Sequence, residues 1–559
     1  MTTPLNAIRG GRSESSVAPA LFYGLFFGFI ALYGCFIVLD SAIPMLNSDG
    51  FLFFTQLLEN KSAWHGLQSL ETKRFFPLAG WNLALIAQFS LSPYAFMLGN
   101  ACVFVAFGAC YLALARQSLV NHWAILVMFI CVVLSVGYAK LMVEIVFPET
   151  TLTLFILAFL LCYFYALHSQ SKPKSWLLAL LALLFGNAAI YLKEVAFVII
   201  SGFGLLHIAL SLLASFIRTK SLTLTMPRHI LLLDILLALS GVVFFALYAY
   251  FTRGGSGDYS AMEIYSSVRL LAVLFLSAPL LSIALPVALG FRIYRVIKDT
   301  KNDSIDVFWD SVGLSALGYT LAFIALGMGS FHYFTPANIL ASLYLLFLLA
   351  RYGGALRGWG FRVVTAVVGL ILLTSSIPQG IHYLTFYKTQ NKNINETMHY
   401  LATYLKSHPH TRIYFEGFGR GVDRYYNAWS YGTIFSILPT IFGVSEFDIA
   451  SKEPNGTSFH IDPSSSLSFF NSKEVRTPDS SDLLIITALS DAGVLDSRIA
   501  ELESSHELLF KTSNHPYFPQ YTLMSIGAKL LQDLGISHPL SNYGNPYRLP
   551  AQSYVFRIR

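Results

Sequence analysis

The sequence predicts a polytopic α-helical membrane protein that ends in a soluble α/β domain. Of its 559 residues, 55% are hydrophobic and only 12% are charged, whereas about 25% of the residues in an ordinary soluble domain are charged. Apolar runs of about 17 to 25 residues, the length that crosses a bilayer, recur from residue 19 to residue 380. Beyond them, charged residues, Pro, Asn and Ser separate short apolar runs. We therefore expect a transmembrane domain at residues 1–380 and a soluble domain at residues 381–559.

About eleven of the apolar runs are predicted to cross the membrane. Lys and Arg accumulate in cytoplasmic loops, so Arg9 and Arg12 place the N-terminus inside. All the basic connections between alternate spans then fall inside as well, and an odd number of spans places the soluble domain outside. We expect a multi-pass protein of the inner (plasma) membrane with a periplasmic or other extracytoplasmic C-terminal domain. The predicted spans are 19–40, 94–115, 121–141, 151–168, 175–192, 195–217, 229–251, 267–291, 306–328, 335–350 and 363–380.

Charge and cysteine content exclude two other classes of function. The net charge of +6 comes largely from short loops, and we expect no nucleic-acid partner. The five cysteines lie in or beside apolar runs, without a CxxC pair or the spacing of a zinc site. They are interpreted as small packing residues.

The first outer loop, residues 41–93, is long and contains an acidic residue near its start. Asp49 lies in "PMLNSDGFLFF", immediately after the first span. Asp readily caps helix starts, so this residue is either a cap or a catalytic carboxylate at the membrane surface. Later in the loop, "RFFPLAGWNLALIAQFSLSP" is too short to cross the membrane comfortably, and we expect a helix in the outer interface anchored by Trp81.

Further polar residues fall at the predicted outer ends of the spans. Charged groups at membrane depth are costly and usually functional. Each residue also has an ordinary structural interpretation: an acid at a helix start, a lysine that reaches water, or an interfacial histidine or arginine. Together they indicate a site that binds an anion and moves a proton. They are Glu144, Glu149, Lys193, Glu194, Arg253, His332 and Tyr333.

Several motifs resemble those of lipid-carrier-dependent glycosyltransferases of the C superfamily, the group of the lipid A aminoarabinose transferase and the protein O-mannosyltransferases. "FPETTLTLFILAFLLCYFYAL" resembles the family's fourth span, "NAAIYLKEVAFVI" its lysine-containing turn, and "FHYFTPANILASLYLLFLLA" the start of a late span. The similarity runs in order over residues 19–380. Gly50 follows Asp49 where many members have a second acid, and His332 replaces a cationic residue, so the metal requirement and the donor sugar stay open.

The resemblance implies an integral-membrane glycosyltransferase that uses a polyprenyl-phosphate sugar donor on the outer face and transfers the sugar with inversion. Asp49 is then the catalytic base, and Lys193, with Arg253, His332 and Tyr333, is expected to bind the donor phosphate. Glu144, Glu149 and Glu194 are candidates to orient the acceptor or to bind a divalent cation. The acceptor is a cell-envelope lipid, a glycan such as lipopolysaccharide, or a protein.

Two other functions are compatible with the sequence. A flippase or transporter of lipid-linked glycans would need polar groups at mid-membrane and an internal repeat, and a glycan polymerase would use similar donors. The soluble domain, with predicted strands in "TRIYFEGF" and "SDLLIITAL" and a helix in "NETMHYLATYLKSH", is expected to shape acceptor access. Its "RYYNAWSYG" segment is either a sugar-stacking surface or packed core.

Overall fold

The computed structural model describes most of the membrane domain and parts of the soluble domain. The described residues are 17–42, 75–224, 226–253, 267–298, 305–353, 358–415, 437–439, 441–451, 474–475, 477–487, 492–514, 526–527, 530–531, 533–536 and 552–559. Asp49 and the segment Arg424–Gly432 lie outside them.

Helices make up nearly all of the described chain as far as residue 407. They are α1 (Val17–Val38), α2 (Trp81–Ala87), α3 (Pro93–Gln117), α4 (His122–Val133), α5 (Val136–Val143), α6 (Glu149–His168), α7 (Lys172–Leu192), α8 (Ala196–Thr219), α9 (Arg228–Phe251), α10 (Ser267–Ser277), α11 (Leu285–Lys298), α12 (Val307–Ala325), α13 (Thr335–Tyr352), α14 (Trp359–Ile371), α15 (Ile377–Ser407) and, in the soluble domain, α16 (Ala492–Ser505).

Short polar residues fix several helix starts. The Ser92 hydroxyl accepts a hydrogen bond from the Tyr94 amide, with Pro93 in the first turn, and the Asn121 side chain accepts one from the Trp123 amide. Both are common ways to satisfy amides that have no partner inside the helix. Within a nearly continuous apolar sequence, Ser92 thus marks the start of α3 and Asn121 the start of α4.

Among the described residues, ten helices are long and apolar enough to cross a membrane, or eleven if one bent pair counts as a single span. The predicted multi-pass helical architecture is therefore confirmed. The bent pair is α4 and α5, which meet at 64° within the predicted third span. A short helix, α2, forms in the segment predicted to lie in the interface, and Trp81 at its start stacks on Phe155 at 6.5 Å between ring centroids. Its position in the membrane interface remains a prediction.

The bend between α4 and α5 receives a glycine from another helix. A Cβ added to Gly380 would overlap the Leu134 carbonyl oxygen and lie 3.1 Å from the carbonyl carbon of Ser135. The absence of a side chain at residue 380 thus lets the last span approach the backbone of the bend.

We expect Gly380→Ala to destabilise the membrane domain by about 1–3 kcal/mol, the usual cost of overpacking. Thermal unfolding of the purified protein in detergent would measure the loss. Gly24→Ala is the matched control, because a Cβ at Gly24 meets nothing within 4 Å. Equal midpoints for both variants would contradict the close approach.

The C-terminal domain is a mixed α/β unit, as predicted. Its strands are β1 (Arg412–Phe415), β2 (Asp448–Ser451), β3 (Glu474–Val475), β4 (Leu483–Thr487), β5 (Glu507–Lys511) and β6 (Ser553–Arg557). They lie in the order β3-β2-β1-β4-β6-β5; the first four are parallel and the last two join antiparallel. The predicted strands in "TRIYFEGF" and "SDLLIITAL" form β1 and β4.

One continuous helical path, Trp359–Ser407, joins the two parts of the chain. The predicted boundary between residues 380 and 381 lies within α15. Near its C-terminus, α15 contributes Ile394, Met398 and Leu401 to the core that packs on β1, β4 and β6. The end of the membrane domain therefore belongs to the same rigid element as the start of the soluble domain.

Membrane orientation remains a prediction that reporter fusions can test. Fusions after Lys174, Arg218 and Lys298 should be cytoplasmic, where green fluorescent protein fluoresces and alkaline phosphatase is inactive. Fusions after Lys61 and Lys406 should show the reverse, because these residues are expected outside. A cytoplasmic signal after Lys406 would contradict the orientation of the soluble domain.

Candidate functional site

Three breaks between helices meet at one end of the bundle. The first is the connection from Glu144 to Glu149 between α5 and α6, and the second is the turn at Lys193–Val195 between α7 and α8. The third is a 3₁₀ turn, Phe331–Phe334, which leads into α13. Six of the predicted site residues lie on these segments: Glu144, Glu149, Lys193, Glu194, His332 and Tyr333.

Lys193 and Glu149 form an ion pair at the centre of this cluster. The Lys193 Nζ atom lies 3.1 Å from Glu149 Oε1, and the residues are only 8% and 1% exposed. Neither Glu149 oxygen has a hydrogen-bond partner among the described residues, so the attraction is electrostatic rather than a directed bond. Glu149 also begins α6, where a negative charge suits the helix dipole. Buried charges of this kind persist only when paired.

Two rings enclose this ion pair and the neighbouring histidine. The Lys193 ammonium lies 4.8 Å from the centroid of the Tyr333 ring, within range of a cation–π attraction. His332 is buried and stacks on Phe147 at 4.1 Å, and its Nδ1 atom lies 2.7 Å from the Ser330 hydroxyl. Lys140 approaches the same Phe147 ring at 5.1 Å.

A second glycine positions the 3₁₀ turn that carries His332. A Cβ at Gly137 would lie 2.6 Å from both the Phe331 carbonyl oxygen and the Thr335 hydroxyl oxygen. The backbone of α5 therefore packs directly on the turn. The sequence gives no direct sign of this contact.

Glu144 contacts a residue that the sequence did not predict to be part of the site. The Tyr383 hydroxyl donates a hydrogen bond to Glu144 Oε1 at 3.3 Å, and Glu144 is 3% exposed. Tyr383 follows the predicted last span by three residues, and only the continuation of that helix brings it to the cluster. The missed signal was the helical continuity of α15 past residue 380.

Lys388, also on α15, holds the end of α1. Its ammonium donates to the carbonyl oxygens of Phe36 and Leu39, and to that of Ile37 at 3.3 Å. Cations commonly satisfy the last carbonyls of a helix in this way. A small pocket beside it is lined by Asp40, Ser41, Ala42 and Val143, among other residues. The start of the loop that contains Asp49 thus lies beside the residue that precedes Glu144.

Arg253 is the predicted site residue that the described contacts leave outside the cluster. It is exposed just beyond the end of α9, where Phe251 stacks on Phe75 at 5.1 Å. Among the described residues it has no ion-pair partner. Its predicted contact with a phosphate remains a prediction.

The described residues do not assemble a metal site. No group of three or more His, Cys, Asp or Glu side chains suited to a metal ion occurs among them. Glu149 faces the Lys193 ammonium instead. The described residues alone therefore supply no donor set for the divalent cation that Glu144, Glu149 and Glu194 were candidates to bind.

A separate polar cluster lies inside the helix bundle. The Tyr163 hydroxyl donates to Asp234 Oδ1 at 2.6 Å and lies 2.9 Å from His207 Nδ1, which is 2.8 Å from Asp234 Oδ2. The three side chains come from α6, α8 and α9, and each is at most 2% exposed. The sequence does not predict this cluster, because its members are single polar residues in apolar runs that stand far apart in the chain.

No family model and no curated protein matches the chain, but solved structures do. It is similar to the apo oligosaccharyltransferase of Archaeoglobus fulgidus, at 11% identity and a TM-score of 0.42 over 69% of this chain and 59% of that one. It is also similar to ArnT of Cupriavidus metallidurans bound to undecaprenyl phosphate, at 12% identity and a TM-score of 0.39 over 89% and 97%.

A third similar structure is the oligosaccharyltransferase AglB of Archaeoglobus fulgidus in complex with an inhibitory peptide and a dolichol-phosphate, at 10% identity and a TM-score of 0.42 over 78% of this chain and 65% of that one. The chain spans less than two thirds of the length of the two archaeal structures.

Proposed function

We propose that this protein is an integral-membrane glycosyltransferase that moves a sugar from a polyprenyl-phosphate donor to an acceptor on the outer face of the inner membrane, with inversion. One observation supports this most directly. A buried lysine, ion-paired with the Glu149 carboxylate, lies at the end of the bundle where the first loop begins. An ammonium with three N–H donors suits a phosphate oxygen.

Lys193 is the residue to which we assign the donor phosphate. Charge on that phosphate grows as the sugar departs, and a fixed cation in a dry site stabilises it strongly. Tyr333 limits the position of the ammonium from one side. His332 and Arg253 are further candidates, one buried behind Phe147 and one exposed beyond α9.

Asp49 is the proposed base that removes the proton of the acceptor hydroxyl. A positioned base is worth typically 10²–10⁴-fold in rate. Glu144 and Glu194 are proposed to orient the acceptor, together with Glu149 where it is released from Lys193. These residue roles are the same whether the acceptor is an envelope lipid, a glycan or a protein.

A second candidate function has one observation in its favour. The buried cluster of Tyr163, His207 and Asp234 places ionisable groups inside the bundle, as expected for a proton-coupled transporter. A flippase of lipid-linked glycans would move its substrate without making a new glycosidic bond. The two functions therefore differ in product.

The test is transfer by purified protein in detergent, where no compartments exist. Candidate polyprenyl-phosphate sugars would be offered with lipid, glycan and peptide acceptors, chosen from mass spectrometry of the envelope of a deletion strain. A new glycosidic product that depends on the protein is expected. The transporter would be favoured by two results together. The deletion strain would lack a sugar in its envelope glycans, and the purified protein in detergent would form no product from a donor that carries this sugar.

A further inference from the structure

Tyr319, on α12, has a hydroxyl group that is buried beside the candidate site. The residue is 0% exposed, and its hydroxyl oxygen has no hydrogen-bond partner among the described residues. A buried hydroxyl without a partner costs free energy, and native structures contain few groups of this kind. The Tyr319 hydroxyl is one of them.

A series of aromatic rings connects Tyr319 with the ion pair of Lys193 and Glu149. The Tyr319 ring meets Phe323, one turn along α12, edge-on at 4.9 Å between centroids. Phe323 lies nearly parallel to Tyr333 at 5.1 Å, and the Tyr333 ring faces the Lys193 ammonium. The charges of Glu149 and Lys193 both act on the Tyr319 hydroxyl. Tyr319 is thus within electrostatic reach of the ion pair without a hydrogen bond to either member.

Glu149 is short of hydrogen-bond donors. Both of its carboxylate oxygens are buried and have no hydrogen-bond partner among the described residues, although the Lys193 ammonium faces one of them. Two neighbouring hydroxyls on α6 are already used, because Thr150 and Thr153 donate to backbone carbonyls at 3.1 Å and 2.8 Å. The Tyr319 hydroxyl proton, in contrast, is donated to no acceptor in the described part of the chain.

Binding of a phosphate by Lys193 would disturb the balance of charge at this ion pair. An ammonium that turns toward the phosphate leaves Glu149 as a buried carboxylate without its counter-charge, and a charge in that state is costly. A hydroxyl that donates to the carboxylate offsets part of this cost, because hydrogen bonds to charged groups are stronger than those between neutral groups. Tyr319 carries a hydroxyl that can do so.

We propose that Tyr319 is a positioning residue, which donates a hydrogen bond to Glu149 when Lys193 engages the phosphate of the donor. In the free protein Lys193 balances the carboxylate. In the bound protein the long side chain of Glu149 turns to the Tyr319 hydroxyl, which leaves the ammonium to the phosphate. Glu149 then has a partner in both states. This inference rests on the proposed role of Lys193 in binding the donor.

Thermal unfolding of the full chain in detergent tests the exchange of partners without a ligand. Lys193→Met removes the ammonium, so the Tyr319 hydroxyl should then pair with Glu149. We expect Tyr319→Phe to leave the unfolding temperature of the wild type unchanged or slightly higher, because the hydroxyl has no partner there. In the Lys193→Met background the same substitution should lower the unfolding temperature by several degrees. Equal effects in the two backgrounds would mean that the residues are not coupled and would overturn the proposal.

The second measurement is the dissociation constant for undecaprenyl phosphate, a carrier without a sugar. Tyr319→Phe should weaken its binding about tenfold or more, the usual worth of a hydrogen bond to a charged group. In a Glu149→Gln background the same substitution should cost much less, because the amide carries no charge. Unchanged binding by Tyr319→Phe, or an equal loss in both backgrounds, would contradict the exchange. This comparison decides the question if Lys193→Met does not fold.

Tyr111→Phe is the matched control for both measurements. Tyr111 is equally buried, but its hydroxyl pairs with that of Ser342 at 3.0 Å. The control should lower the unfolding temperature by the same amount with and without Lys193→Met, and it should leave carrier binding unchanged.

Failure of the exchange and failure of the proposed function give different results. Coupling between Tyr319 and Lys193 with carrier binding, but without sugar transfer to any acceptor, would count against the proposed function alone. Transfer without this coupling would count against the exchange alone. A wild-type protein that does not bind undecaprenyl phosphate would overturn both.

Discussion

Asp49→Asn is expected to lower sugar transfer by at least about a hundredfold, the low end of the effect of losing a base. The amide caps a helix about as well as the carboxylate but has no comparable affinity for a proton. Folding, insertion and donor binding should therefore be unchanged. Single-turnover transfer with a defined donor and purified protein measures the effect.

Glu59→Gln is the matched control for this experiment, because it makes the same chemical change later in the same loop. It should leave transfer near the wild-type level. If Asp49→Asn also transfers normally, Asp49 is only a cap. Glu144 or Glu149 then becomes the favoured base, and the corresponding amide variants would decide between them.

Lys193→Ala is expected to weaken donor binding about ten- to a hundredfold, the usual worth of a hydrogen bond to a charged group, and to lower turnover as well. The measurement is the dissociation constant for the donor, alongside turnover at saturating donor. Lys174→Ala removes the same charge from an exposed position at the start of α7 and should change neither.

The single variant also leaves Glu149 buried without its counter-charge, which can cost about 3–5 kcal/mol of stability. A second variant separates this effect from the loss of a phosphate contact. Lys193→Met with Glu149→Gln removes both charges and should unfold near the wild-type temperature, yet bind donor as poorly as Lys193→Ala. Normal donor binding by this double variant would rule out Lys193 as the phosphate partner.

The apolar runs were sufficient to predict most of the membrane architecture, because span length is imposed by the bilayer. The sequence could not reveal that Gly380, on a distant helix, packs on the backbone of the bend at Leu134–Ser135. The predicted boundary after residue 380 follows a change in amino-acid composition. The helix α15 nevertheless continues past it, because its buried face packs first in the membrane domain and then on the sheet, with no break in helical hydrogen bonding.

The candidate site was predicted in part for the same reason. Span ends at one surface must come together, so the cluster of Glu149, Lys193 and Tyr333 followed from topology. Their pairing did not, because side-chain distances depend on packing. Tyr383 and Lys388 were missed because they lie beyond the predicted last span. Arg292 lies one residue past the predicted span 267–291, yet it is buried against Asp310.

Because the helix from Trp359 to Ser407 is continuous, the number of residues in it sets the rotation of the soluble domain about the helix axis. Each residue of an α-helix advances about 1.5 Å and rotates about 100°. A single residue inserted between Lys388 and Asn393 would turn the sheet by nearly a third of a revolution relative to the end of α1. Only insertions close to whole turns would return the two parts to register, so length at this point is more tightly constrained than sequence.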